Sequence, residues 1–161
     1  MILMGTERLV VDAMLGSLAR KLRIFGFDAV YFREGSDSEL LRMALSERRV
    51  LLTSDRALSE RARARGAPCL LIEGSSDRER LEALWSSARA SGVELSPGPS
   101  RCAVCGTVLE PLKRADVRGL VPERVAASHR VYFRCPGCDK LYWKGGHWTR
   151  LRKLSSIVVR R

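Results

Sequence analysis

RLVVDAMLGSLARKLRIFGFDAVYF, Arg8 to Phe32, reads as strand, helix, strand. RLVVD (Arg8–Asp12) is a short apolar run with β-branched valines, which suit a pleated surface. MLGSLARKLRIFG (Met14–Gly26) places Leu15, Leu18, Leu22 and Phe25 on one helical face and stops at Gly26. DAVYF (Asp28–Phe32) is a second strand. The alternation then continues. Ser36 to Arg48 is a second helix with Leu40, Leu41, Ala44 and Leu45 facing inward, and VLLT (Val50–Thr53) a third strand. Arg56–Arg65 is a polar third helix, CLLIE (Cys69–Glu73) a fourth strand and Asp77–Ala90 a fourth helix. Four strand–helix repeats imply an α/β fold, a compact parallel sheet with helices on both faces.

SGVELSPGPS (Ser91–Ser100) breaks this pattern with two prolines and two glycines. It divides the chain into a first unit over 1–92, a linker over 93–100 and a second unit over 101–161. Charge divides at the same place. Residues 1–96 hold 15 Lys plus Arg against 14 Asp plus Glu; residues 97–161 hold 14 against 4, nearly all of the net +11. A basic second unit points to a polyanionic partner. Arginine-rich composition alone would enrich both halves and does not explain the scarcity of acids in the second. No apolar run approaches the about 18 residues that span a membrane. The opening MILMGTERLVVDA lacks the layout of a secretion signal, so the expected location is cytoplasmic.

In a doubly wound sheet ordered 2-1-3-4, ligands bind beyond the carboxyl ends of the strands where the winding reverses. Asp12 ends the first strand and Asp55 follows the third; Asp37 and Asp77 follow the second and fourth. Carboxylates gathered at one edge repel unless a cation lies between them, and oxygen-only sites suit Mg²⁺ or Mn²⁺. Helix capping accounts for each acid singly. Ser36-x-x-Glu39 and Ser76-x-x-Glu79 are capping-box patterns that put Asp37 and Asp77 in first turns, and Asp12 and Asp55 can serve as N-caps. Both readings stand at this level.

Cys102-x-x-Cys105 and Cys135-x-x-Cys138 form the strongest motif. Two such pairs in a reducing compartment read as a closed structural Zn²⁺ site of four thiolates, a zinc ribbon, rather than as disulfides. The segment Val117–Ala127 between them is expected to loop out. Cys69 sits in a strand and reads as a small core residue. After the second pair, KLYWKGGHWTRLRKL (Lys140–Leu154) interleaves aromatics with cations. Lys140, Trp143, Lys144, His147 and Arg150 have the chemistry to stack on bases and bind phosphates of single-stranded nucleic acid. Trp143 and Trp148 serve equally well as the core of a small ribbon.

The stretches VVDAMLGSLARKLRIFGFDAVYF, SDSELLRMALSERRVLLTSDRAL, RCAVCG and FRCPGCDKLYWKGGHW, in this order, resemble the PIN-like ribonucleases named after the C-terminal region of the mut-seven exonuclease. The resemblance runs from Leu9 to Trp148 and implies a PIN-like nuclease domain followed by a zinc ribbon. It implies Asp12, Asp37 and Asp55, the last in Thr53-Ser54-Asp55, as catalytic acids holding Mg²⁺ or Mn²⁺ for RNA hydrolysis. The fourth acid of larger PIN domains has no clear counterpart, Asp77 being a weak substitute. Arg23 and Arg56 are further expected phosphate contacts, and single-stranded or structured RNA is the expected partner, with the oligomeric state open. The alternative is a non-catalytic RNA-binding protein whose acids only cap helices. A phospho-receiver domain would need a second acid beside Asp12 and a lysine after a fifth strand, and neither is present.

Overall fold

The computed structural model describes residues 7–159; positions 1–6 and 160–161, which the expected first and second units include, lie outside the described residues. Four parallel strands, β1 (Arg8–Asp12), β2 (Ala29–Phe32), β3 (Arg49–Thr53) and β4 (Cys69–Leu71), lie in the order β2-β1-β3-β4. Their helices are α1 (Gly16–Ile24), α2 (Asp37–Ser46), α3 (Arg56–Ala64) and α4 (Asp77–Ser91). A 3-10 turn, Ala13–Leu15, joins β1 to α1.

Strand periodicity sorts the core into two layers. Leu9, Val11, Val50, Leu52, Leu70 and Ile72 face α1 and α4. Val10, Leu51 and Cys69 face α2 and α3. Strands covered on both faces must be apolar at successive positions, which is why LVV and VLL carry no polar residue. Gly26 ends α1 at φ +96°, and a Cβ there would collide with the Gly98 carbonyl oxygen at 1.9 Å. Both expected capping boxes are formed, Ser36 with Glu39 and Ser76 with Glu79. One inward assignment is corrected. Leu45 is 43 % exposed, whereas Leu40, Leu41 and Ala44 are buried. At about 100° per residue, Leu45 falls about 40° beyond Leu41, outside the stripe that meets the sheet.

The second unit has an antiparallel sheet, β5 (Glu110–Leu112), β6 (Tyr132–Arg134) and β7 (Leu141–Trp143), in that order. The intervening segment leaves the sheet between β5 and β6 and is largely exposed, as expected, but it is anchored. Val117 is fully buried, and a short helix, α5 (Glu123–Ser128), is anchored by the Tyr132 hydroxyl donating to the carbonyls of Val125 and His129 at 2.8 and 3.0 Å. The basic C-terminal segment forms a helix, α6 (Gly146–Val159), that packs against α4. Leu154 and Ile157 join the core of the first unit. The linker is likewise pinned, with Gly98 N–H donating to Gly26 O at 3.0 Å and Ser100 Oγ to Ile24 O at 2.8 Å. Among the described residues no helix is long and apolar enough to cross a membrane.

Candidate functional site: an acidic edge and a four-cysteine centre

β1 connects to β2 on one side and lies beside β3 on the other, so the winding reverses between β1 and β3, and their carboxyl ends flank the crevice. One side chain, that of Thr53, links Asp12 to the backbone of Asp55 there. The fully buried Thr53 donates its hydroxyl to Asp12 Oδ2 at 2.8 Å, and the Thr53 hydroxyl oxygen accepts the Asp55 backbone N–H at 3.0 Å. Asp55 Oδ1 accepts the Leu58 N–H at 3.1 Å and so N-caps α3. Each carboxylate therefore has one oxygen committed to the fold, and the described hydrogen bonds leave the other available. Hard carboxylate oxygens are donors that fit Mg²⁺ or Mn²⁺.

The other expected participants are placed differently. Asp37 is exposed at the start of α2 and pairs with Arg61 of α3. The side chains do not bring Asp12, Asp37 and Asp55 within 4.8 Å of one another as a set. Asp77 is held by Lys21 of α1 at 2.7 Å and by the Ser17 hydroxyl at 3.2 Å. Burial pushes its carboxyl up, but these bonds outweigh burial and leave it below the ordinary range. Arg56 is exposed and paired with Glu73.

Arg23 is not on the surface. It is 8 % exposed, with Nε donating to Ala29 O in β2 at 2.7 Å and Nη1 to Ala103 O and Val104 O at 3.2 and 3.1 Å. Its periodic position on α1 looks solvent-facing until the second unit docks there. Burial lowers its pKa, opposed by the nearby Cys105 and Cys102. Its place is a tie between the parallel sheet and the first cysteine knuckle.

The four cysteines converge as expected: their sulfurs lie within 4.8 Å of one another. Cys102 Sγ is 3.6 Å from Cys138 Sγ, and Cys105 Sγ is 3.3 Å from Cys135 Sγ. A zinc tetrahedron with about 2.3 Å Zn–S bonds has sulfur separations of about 3.8 Å, so the donor set could hold Zn²⁺. The two knuckles are built alike. In the first, Gly106 N–H donates to Cys102 O at 2.8 Å and Cys102 N–H to Thr107 O at 2.8 Å. In the second, Asp139 N–H donates to Cys135 O and Cys135 N–H to Lys140 O, both at 2.9 Å. Gly106 has φ +80°, and a Cβ there would stand 3.3 Å from Arg23 Nε. Asp139 takes the equivalent position at φ +61°, tolerated by a short polar side chain, and Arg134 braces it at 2.9 Å. Hydrogen bonding from Thr107 pulls the Cys105 thiol down to about 6, toward the thiolate a metal needs. Sequence reading missed the supporting role of Tyr142, whose hydroxyl lies 3.0 Å from Cys102 Sγ and accepts the Ala103 N–H at 3.1 Å.

The family model described as the Mut7-C RNAse domain matches residues 7–155, taking in the acidic edge and all four cysteines. The chain belongs to the Mut7-C RNase domain family. Neither a curated protein nor a solved structure matches it. Membership in this RNase-domain family indicates a nuclease-like function with RNA as substrate. In this Mut7-C domain Cys69, buried beside Ser59 Oγ at 3.6 Å, is part of the core; burial raises its thiol pKa.

Proposed function

We propose that this Mut7-C domain is a PIN-like, metal-dependent ribonuclease acting at the edge formed by Asp12 and Asp55. The observation that carries the reading is the Thr53 hydroxyl, which bonds the Asp12 carboxylate and the Asp55 backbone amide where the sheet's winding reverses. Capping requires neither that Asp12 and Asp55 meet nor that a buried threonine link them. Asp12 and Asp55 would each contribute an oxygen to bound Mg²⁺ or Mn²⁺, with Asp37 joining once its exposed carboxylate leaves Arg61. Such an ion, when bound, polarises a phosphoryl oxygen and lowers the pKa of a water that attacks in line. Thr53 orients Asp12, and the α3 cap orients Asp55. Arg56, exposed beside Asp55, exchanges Glu73 for a substrate phosphate. The C-terminal unit, with Zn²⁺ in a structural role, supplies RNA contacts through Lys140, Trp143, Lys144, His147 and Arg150.

A second reading, a non-catalytic RNA-binding protein, is favoured by the Asp55 cap and the Asp37–Arg61 pair. Cleavage of labelled single-stranded and hairpin RNA with Mn²⁺ or Mg²⁺, against the Asp12→Asn/Asp55→Asn double variant, separates the two. Metal-dependent cleavage lost in the variant is the expected result. RNA retained uncut by the wild type under every condition would establish the second reading.

A further inference from the structure

A cavity of about 390 Å³ lies between the antiparallel sheet and the start of α6, within the usual range of small-ligand pockets, about 300–1,000 Å³. Its walls are mainly apolar and aromatic: Phe133, Tyr142, Trp148 and Leu151 line it, as does Trp143, which is 38 % exposed. Lys140, Lys144 and His147 also line it, and no Asp or Glu does among the described residues. Lys140 Nζ lies 5.9 Å from the Tyr142 ring centre and Lys144 Nζ 5.2 Å from that of Trp148. The lysines are exposed, so their charges can turn to an anion at the rim.

We propose that this cavity is a subsite for one unstacked nucleobase of single-stranded RNA, with the flanking phosphates on Lys140 and Lys144. The inference rests on the ribonuclease reading for the RNA itself and goes beyond it in assigning a base-binding site. An apolar slot with aromatic walls accepts the π-face of any base, and a cationic rim without acids suits the phosphates on either side. A greasy peptide segment would use the slot but not the rim. The cavity opens beside Ile24, at the end of α1, while the acidic edge lies at the start of that connection. Ile24 lies eleven positions beyond Ala13, a rise of roughly 16–18 Å. The base held here is therefore several nucleotides from the bond at Asp12 and Asp55, and the cavity works as a remote grip that sets substrate length and strandedness.

The test uses the zinc-loaded full chain with no added divalent ion, so that binding is read without cleavage. A single-stranded oligoribonucleotide is compared with a wholly abasic oligomer of equal length. Stacking of one base on an aromatic wall is expected to favour the intact strand by roughly 5- to 150-fold. Trp148→Leu and, separately, Trp143→Leu should narrow that ratio while abasic binding stays unchanged. Trp143 is 38 % exposed, so its variant tests the subsite even if Trp148→Leu does not fold. Equal binding of the two strands by the wild type would overturn the subsite and leave RNA binding standing as electrostatic. An undiminished ratio in both folded variants would put the stacking elsewhere, and overturn it too. Quenching of tryptophan fluorescence by an apolar peptide but not by the oligonucleotide would assign the slot to a protein partner. No binding of either strand at any salt would remove the RNA reading along with the subsite.

Discussion

Replacing Arg23 with alanine tests how the two units are joined. The guanidinium is a buried cross-tie, with one bond into β2 and two to the first cysteine knuckle. Hydrogen bonds from a charged donor contribute about 1.5–3 kcal/mol each, but the desolvation that lowers the Arg23 pKa opposes them. The better measure is what removal leaves behind. Ala29 O is a buried acceptor that loses its 2.7 Å side-chain donor, a loss of about 1–3 kcal/mol. The knuckle carbonyls are only part-buried, so water replaces much of what they lose. Removing the apolar stem adds about 1–2 kcal/mol. Arg23→Ala should therefore cost about 3–4 kcal/mol. Arg23→Met, which keeps the stem, should cost about 2 kcal/mol, and Arg23→Lys about the same, because a point charge cannot span both partners. Urea denaturation of the zinc-loaded protein reads the loss, and zinc release to a colorimetric chelator should quicken in Arg23→Ala. A change under about 0.5 kcal/mol with unaltered zinc release would refute the cross-tie and return Arg23 to the surface role its sequence position suggested.

The remaining predictions concern the site, the metal, the core and acid. Asp55→Asn should leave stability within about 0.5 kcal/mol, since asparagine caps helices as well as aspartate, whereas Asp55→Ala should cost about 1 kcal/mol; both should abolish cleavage. Mass spectrometry of the native protein should find one zinc per chain, and saturating Zn²⁺ at about 1,000 times Kd should stabilise the apo protein by about 4 kcal/mol, an effect Cys135→Ser removes. Leu18→Ala, in the layer facing α1 and α4, should cost about 3–5 kcal/mol by denaturant titration. Burial raises the Asp28 carboxyl, but its 2.9 Å bond to Arg49 and the neighbouring arginines outweigh this and hold it below the ordinary value of 3.8. Its contribution is therefore present above about pH 4 and is lost as pH falls through the depressed folded-state value. Acid titration of wild type against Asp28→Asn, in which zinc loss is common to both, should show stabilities converging below that pH.

The parallel sheet was legible because its code is local. Apolar runs such as LVV and VLL have one use in a chain that alternates with amphipathic helices, and Gly26 and the two capping boxes mark where those helices stop and start. The cysteine centre was legible for the same reason, since ligand spacing within each pair is a local constraint. What escaped was set by docking. Arg23 reads as a phosphate contact on an exposed helix face until a knuckle arrives from eighty positions away. The C-terminal helix gave no expectation of its own because its charges dominated the reading, and only packing on α4 reveals Leu154 and Ile157 as core. At the acidic edge, the order of strands followed from sequence and brought Asp12 and Asp55 to one crevice. The participation of Thr53 as their common partner depends on a register of one hydroxyl, which periodicity does not carry.

The return of α6 onto α4 has a consequence for how the protein comes apart. The chain leaves the first unit through a pinned linker, completes the cysteine centre, and then hands Leu154 and Ile157 back to the core it left. Neither half owns all of its own interior. A chain cut at Ser100 would keep the acidic edge but open the flank of α4, and the severed remainder would carry an unmatched apolar helix. Loosening at the cysteine centre is thereby transmitted to the flank of the parallel sheet, so the two units should exchange their amide protons together, as a single cooperative block rather than as beads on a string.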